Sequence, residues 1–260
     1  MARLPGSTNR LSVEMALQDG WQAFCRAPWP FTLFSILYAV LSIVLQGLVV
    51  PSELAQGQLA TPGLPLLRVL IGVLGFVGVQ LWGMVGVIRG AWVALEGGRP
   101  GWGTFLRWDG RAMGRLLLAQ ISLVALFAMV LIAGIGLCTG VMGLPMAHAR
   151  AAGLMIGLGM MVLGLYLAVG QIFLSWVALL QGPGPLATLV QGRRKVDPHW
   201  ARVLLLVLAE ALLLFAGLLA CLAGLFVALP VVACVSTAAY RQLFGTDDRT
   251  GALRAPPSRS

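Results

Sequence analysis

The sequence predicts an all-α polytopic membrane protein, a bundle of six transmembrane helices with amphipathic helices lying at its cytoplasmic interface. Three observations predict it. The 260 residues are 59% hydrophobic and 10% charged, with a mean hydropathy of +0.90, where a soluble domain carries about 25% charged residues. The apolar residues gather into runs of about 20 or more, the length that crosses a hydrocarbon core. The basic residues fall between those runs, with a strong bias to one side. This composition excludes a soluble globular domain and a disordered chain.

Residues 1–29 form the cytoplasmic N-terminus. Within it, 12–26 reads as an amphipathic helix: Val13, Leu17, Trp21 and Phe24 recur at helical spacing. Ser12 is placed to cap it and Glu14 to favour its first turn. The six-span bundle covers 30–245. Its first span runs from about Pro30 to Val50. Some thirty partly polar, tryptophan-bearing residues precede this run, so it reads as a retained span rather than a signal peptide. After a polar loop over 51–65, the second span covers 67–88 and ends at Arg89, with helix able to continue to Glu96. Residues 97–112 are Gly-rich, basic and aromatic. The third span covers 114–137, with a Gly-rich extension toward Pro145, and the fourth covers 154–180. A basic stretch broken by Pro and Gly follows over 181–202. The last apolar run, Val203 to Tyr240, has 38 residues. As one helix it would be about 57 Å long, against a hydrocarbon core of about 30 Å. It therefore folds back, most simply near Gly224, into a fifth and a sixth span, with Pro230 in the first turns of the sixth. Residues 246–260 read as a disordered cytoplasmic tail.

With six spans and a cytoplasmic N-terminus, only Arg68 and Arg150 of the 18 basic residues fall outside. A five-span chain would place the arginines of the tail on the wrong side. Seven of the eight tryptophans sit near the inner interface, Trp176 among them, and only Trp82 lies deep. The net charge of +9 thus reports orientation, and nucleic acid is not expected as a partner. Cys25, Cys138, Cys221 and Cys234 form no C-x-x-C pair, so a zinc site or a disulfide framework is not expected. Gly20-Trp21-x-x-Phe24-x-Arg26 recurs 81 residues later as Gly101-Trp102-x-x-Phe105-x-Arg107. It reads either as a repeat of hairpins led by interfacial helices, or as the common preference of any interfacial helix for aromatic and Arg residues.

Several short motifs carry a resemblance. They are Ala16-Leu17-x-x-Gly20-Trp21 before the first span and Arg89-Gly90-Ala91 with Glu96-Gly97 and Pro100 after the second. Gly182-Pro183-Gly184-Pro185 and the ending Pro230…Tyr240-Arg241-x-Leu243-x-Gly245 complete the set. In these the chain resembles poorly characterised six-helix bacterial integral membrane proteins, including the membrane domain of some glycerophosphodiester phosphodiesterases and related domain-of-unknown-function families. The resemblance implies a multi-pass protein of the bacterial cell membrane. It does not imply phosphodiesterase activity, whose chemistry lies in a separate soluble domain for which these 260 residues leave no room.

Among candidate residues Glu210 is the sharpest. It lies about 12 Å past Arg202 along a helix, near the bilayer midplane, where a carboxyl is a functional-site hypothesis by default. Gln80, Gln120 and Gln171 sit at similar depths, and the four could form a polar layer for a cation, a proton or a headgroup. Alternatively they are interhelical glue. Arg89 and Glu96, and the cluster Arg193, Arg194, Lys195 with Trp200, are placed to bind anionic lipid headgroups or a membrane-protein partner at the cytoplasmic face, or simply to anchor and orient the spans. Cys138, Met142, Met146 and His148 suit Cu(I) but equally serve as apolar filling, and no metal is assigned. Gly136 with Gly140, and Gly153 with Gly157, have the spacing of close helix packing. Enzyme and cofactor motifs are missing: there is no H-E-x-x-H, G-x-S-x-G or P-loop. The expected function is therefore non-enzymatic binding of a membrane-protein partner or lipid, in assembly or organisation. The alternative is a small proton- or ion-coupled transporter working through Glu210.

Overall fold

The computed structural model describes residues 11–49, 64–143, 148–220 and 223–253. Among these residues the chain is 85% helical, with no strand. The helices are α1 (Val13–Arg26), α2 (Pro28–Val49), α3 (Leu64–Leu95), α4 (Trp102–Leu106), α5 (Gly110–Met142), α6 (Ala149–Gly170), α7 (Leu174–Trp176), α8 (Pro185–Val196), α9 (Trp200–Leu219) and α10 (Leu225–Phe244). A π turn over Val177–Gln181 extends α7, and a 3₁₀ turn over Asp197–His199 joins α8 to α9. Six stretches are long and apolar enough to cross a membrane: Pro28–Val49, Leu67–Leu95, Gly110–Val141, Ala149–Gln181, Pro185–Leu219 and Leu225–Phe244. The protein is thus an all-α polytopic membrane protein.

Three hairpins build the bundle, α2 with α3, α5 with α6, and α9 with α10, and a short helix leads each: α1, α4 and α8. The most buried span is α10, 56% of which is enclosed, whereas only 6% of the α5 span is. Helices α1, α2, α3 and α9 all pack on α10. The core fills one end of the bundle, around Phe31, Phe34, Ile88, Phe105, Phe173 and Tyr240, all fully buried. At the other end Ile43, Val44, Leu70, Ile132 and Leu154 stay exposed. A lipid tail is as apolar as leucine, so nothing drives these side chains into a protein core.

Local chemistry fixes the elements. Ser12 caps α1 by accepting the Met15 N–H at 3.4 Å, and its own N–H donates to Gln242 Oε1 at 2.9 Å, tying the start of α1 to the end of α10. The face that α1 buries is Ala16, Gly20, Ala23 and Phe24, with Val13 and Leu17 half-buried. Trp21, expected on the apolar face, is 54% exposed. Small residues win that face because α10 approaches too closely to admit an indole. The fold-back lies at Gly224 as expected: a Cβ there would stand 2.6 Å from the Gly217 carbonyl oxygen.

Two expectations need correction. The fourth span is not one helix over 154–180. It breaks at 171–173, and residues 173–180 are buried within the protein. Trp176 is accordingly a core residue, not an interfacial anchor, and its indole N–H donates to Thr237 Oγ1 at 3.0 Å. Nor is the start of the tail disordered. Thr250 Oγ1 donates to the Leu179 carbonyl at 2.6 Å and the Arg249 N–H to that of Leu180 at 2.9 Å. Asp248 accepts the N–H groups of Thr250, Ala252 and Leu253 at 2.9–3.3 Å. The remainder of that tail, 254–260, lies outside the described residues, as do residues 1–10 and the loop after the first span. Truncation after Gly245 removes the bonds that tie the tail to the bundle, those to Leu179 and Leu180 and that from Arg89 to the Ala252 carbonyl, and is expected to cost about 2–3 kcal/mol, at about 1 kcal/mol for each hydrogen bond lost. Truncation after Leu253 is expected to be neutral. Unfolding in an SDS titration measures both.

Candidate functional site

The segment between α3 and α5 turns back into the bundle. Phe105 of α4 inserts between Phe31 and Phe34, at ring-centroid distances of 5.1 Å from each. The carbonyl of Leu106 takes the Trp82 indole N–H at 3.3 Å, so this half-buried tryptophan has an internal partner. This tuck also brings Arg107 and Asp109 beside Arg89.

Arg89 is only 2% exposed. Its Nε donates to the Ala252 carbonyl at 2.8 Å, Nη1 to the Arg107 carbonyl at 3.1 Å and Nη2 to Asp109 Oδ2 at 2.6 Å. One guanidinium thereby joins α3, the α4–α5 connection and the tail. Asp109 also caps α5, its Oδ1 accepting the Ala112 N–H at 3.0 Å. Burial raises the Asp109 carboxyl, but the Ala112 N–H and the Arg89, Arg107 and Arg115 guanidiniums outweigh it and hold the group below its ordinary value. The lipid- or partner-facing role expected of Arg89 is therefore corrected: its donors point inward. Glu96, four residues past Trp92, stays exposed and accepts that residue's indole N–H at 2.8 Å.

The intramembrane polar residues do not form one layer. Glu210 accepts the Ser236 hydroxyl at 2.6 Å in the seam between α9 and α10. Gln171, at the break after α6, donates to the Leu189 carbonyl at 3.1 Å. Gln80 bonds Tyr38 and Ser42 of α2, and Gln120 donates to Ser175 Oγ at 3.4 Å. Only Gln80 and Gln120 share a surface, an otherwise apolar cleft of about 440 Å³ between α3 and α5. Each polar group instead meets its own neighbour in another segment.

On α8, Arg193, Arg194 and Lys195 are all exposed. Arg193 pairs with Asp197 at 3.5 Å and lies 5.1 Å from the Tyr166 ring centroid. Trp200 packs on Tyr166 at 5.9 Å and donates to its carbonyl at 3.4 Å. These residues form one basic and aromatic patch, with the charges exposed and Tyr166 and Trp200 half-buried. Near the far ends of α5 and α6, Cys138 Sγ contacts the Gly153 carbonyl at 3.4 Å, while the Met142 side chain and Met146 lie outside the described residues. A Cβ on Gly136, Gly140 or Gly157 meets nothing within 4 Å, so these three glycines mediate no close approach among the described residues.

One feature of the polar end went unrecognised as a site in the sequence. Asp19, Gln22 and Arg26 of α1, Leu95 of α3, and Arg241 and Gln242 of α10 line a cleft of about 290 Å³. Arg26 and Arg241 read there only as orientation charges. The spacing Asp19, Gln22, Arg26, which puts all three on one helix face, was the available signal. Arg26 donates to the Ala94 carbonyl, and the Arg241 guanidinium lies 5.0 Å over the Trp92 ring. Comparison with protein-family models, with curated proteins and with solved structures finds no match.

Proposed function

We propose that this chain is a non-enzymatic, multi-pass protein of the bacterial cell membrane with both termini in the cytoplasm. In this reading it binds anionic lipid headgroups or a membrane-protein partner through the polar end of its bundle, in assembly or organisation. The observation that carries the reading is how the polar groups are distributed. Glu210, Gln80, Gln120 and Gln171 each bond another segment of the same chain. Exposed charge and exposed tryptophan collect instead on α1, α4 and α8 and their flanks, as with Trp21, Trp102, Trp108, Arg194 and Lys195. That is the composition of an interfacial rim. The basic bias in the sequence supports the cytoplasmic assignment, and the resemblance to six-helix bacterial membrane proteins supports the compartment.

Replacing Arg193, Arg194 and Lys195 together by Glu is expected to abolish retention of anionic lipid or partner by protein isolated in native lipid discs. At about fivefold for each surface charge, removing the three cations alone gives a loss on the order of a hundredfold, and the three carboxylates add repulsion to it. Glu210→Gln keeps an acceptor for Ser236 and is expected to change neither retention nor stability. The opposite pattern would sink this reading and favour the transporter alternative, which proton- or ion-coupled flux in proteoliposomes would then test.

A further inference from the structure

We infer that the cleft between α1, α3 and α10 binds a zwitterionic headgroup, a phosphate joined to an ammonium, carried by a phospholipid of the adjoining leaflet. The inference rests on the lipid-binding reading of this end of the bundle and names the site and the chemistry.

Position comes first. Arg26 ends α1 immediately before the span that starts at Pro28, Leu95 ends α3, and Arg241 and Gln242 lie in the last turn of α10. The cleft therefore sits where three spans end on one side of the bilayer, at headgroup level. Fixed donors come second. Arg26 is held by the Ala94 carbonyl and Arg241 by the Trp92 face. Gln242 uses its Oε1 to accept from Ser12, which leaves its NH₂ as the donor. Among the described residues no carboxylate lies within ion-pair distance of Arg26 or Arg241. Two guanidiniums and an amide suit a phosphate.

The rest of the lining argues against a simple anion. Asp19 lines the same cleft as Arg26 and Arg241. The carboxyl ends of α3 and α10 meet here, and the negative end of a helix dipole favours a cation. Two guanidiniums set against the Asp19 carboxylate give the lining charges of both signs, held apart. Such a site discriminates by placing both ends of a dipolar ligand, the phosphate at Arg26 and Arg241 and the ammonium at Asp19.

The test is native mass spectrometry of the delipidated full chain, titrated with phosphatidylethanolamine or phosphatidylglycerol. Wild type is expected to retain phosphatidylethanolamine at least fivefold better. Asp19→Asn, at an exposed position, is expected to erase that preference with thermal stability unchanged. Arg241→Gln is expected to weaken both lipids about tenfold. Soluble O-phosphoethanolamine is the competitor. Failure to compete supports a lipid as the ligand, and full competition supports the same chemistry from a free phosphoamine. Equal retention of the two lipids by wild type, a preference that survives Asp19→Asn, or unchanged retention in Arg241→Gln would overturn the inference. If the α8 charge reversal still removes phosphatidylglycerol in that case, only the cleft assignment fails. If no variant in either set alters retention, the wider lipid-binding reading fails with it.

Discussion

Arg89→Ala is expected to destabilise the folded bundle by about 3–5 kcal/mol, the range for removing one partner of a buried ion pair. The substitution removes the ion-pair partner in contact with Asp109 and the donor that the Arg107 and Ala252 carbonyls now accept from. Because those acceptors lie in two segments, the α4–α5 connection and the tail, the loss is expected to loosen the α4 tuck and the tail together. Asp109→Asn separates the two jobs of the carboxylate. Asn keeps an oxygen for the Ala112 N–H, and so the cap, but gives up the charge. It is therefore expected to cost less than Asp109→Ala, by about the 1 kcal/mol of a helix cap. The pH dependence follows from the direction of the Asp109 shift. Its carboxyl is held below the ordinary value in the folded protein, so its contribution is complete above the unfolded value near ~4. That contribution fades as pH falls through the depressed folded value. Wild type should lose stability on acidification below about pH 4, and Asp109→Asn should lack that component. SDS titrations of the three variants across pH measure each quantity. Arg89→Ala with wild-type stability would show that the guanidinium is not the joint between these segments.

How far the sequence reaches can be judged residue by residue. The six spans, the Ser12 cap, the continuation of α3 past Arg89 and the turn at Gly224 all follow from local signals: run length, cap chemistry and a glycine where two helices must part. The break after Gly170 does not. Residues 173–180 are as apolar as the helix before them, and hydropathy cannot distinguish a segment buried in protein from one facing lipid. Trp176 was misplaced for the same reason. Arg89 shows a second limit. The count of basic residues assigns a side of the membrane, but gives no direction to a side chain. Arg89 turns inward because Asp109 and two carbonyls wait there, while Arg194 and Lys195 turn outward. The expected polar layer met a third limit. Position along a span gives the depth of Glu210 or Gln80, but a helix apolar on every side carries no periodicity to fix its rotation. Of the candidate site, the α8 patch was legible as a run of charge. The α1–α3–α10 cleft was not, since its residues lie more than 200 positions apart in the chain and meet only through the packing of α1 on α10.

That packing gives the second large effect. Gly20→Ala is expected to destabilise the protein by about 3 kcal/mol, the upper end of ordinary overpacking, although alanine is the better helix former by about 1 kcal/mol. A Cβ at Gly20 would lie 2.5 Å from Val235 Cγ2 and 2.6 Å from the Val235 Cα and N. A side chain can rotate away, but the Cα and N belong to the most enclosed span and cannot. Adding Val235→Ala should therefore rescue only part of the loss. Complete rescue would mean that the valine side chain, and not the α10 backbone, sets the distance between these helices. Gly136→Ala is the matched control, since its Cβ meets nothing within 4 Å, and it is expected to be neutral or slightly stabilising in the same SDS titration. The Ala16–Gly20 spacing, four residues apart on one helix face, is the small-residue pattern that lets helices approach closely. Here it brings Asp19, Gln22 and Arg26 of α1 within reach of Arg241 and Gln242 of α10. Folded Gly20→Ala protein, with α1 pushed off α10, should consequently lose its preference for phosphatidylethanolamine even though every residue lining the cleft is intact. Retention of that preference alongside the loss of stability would separate the cleft from the packing that is held to build it.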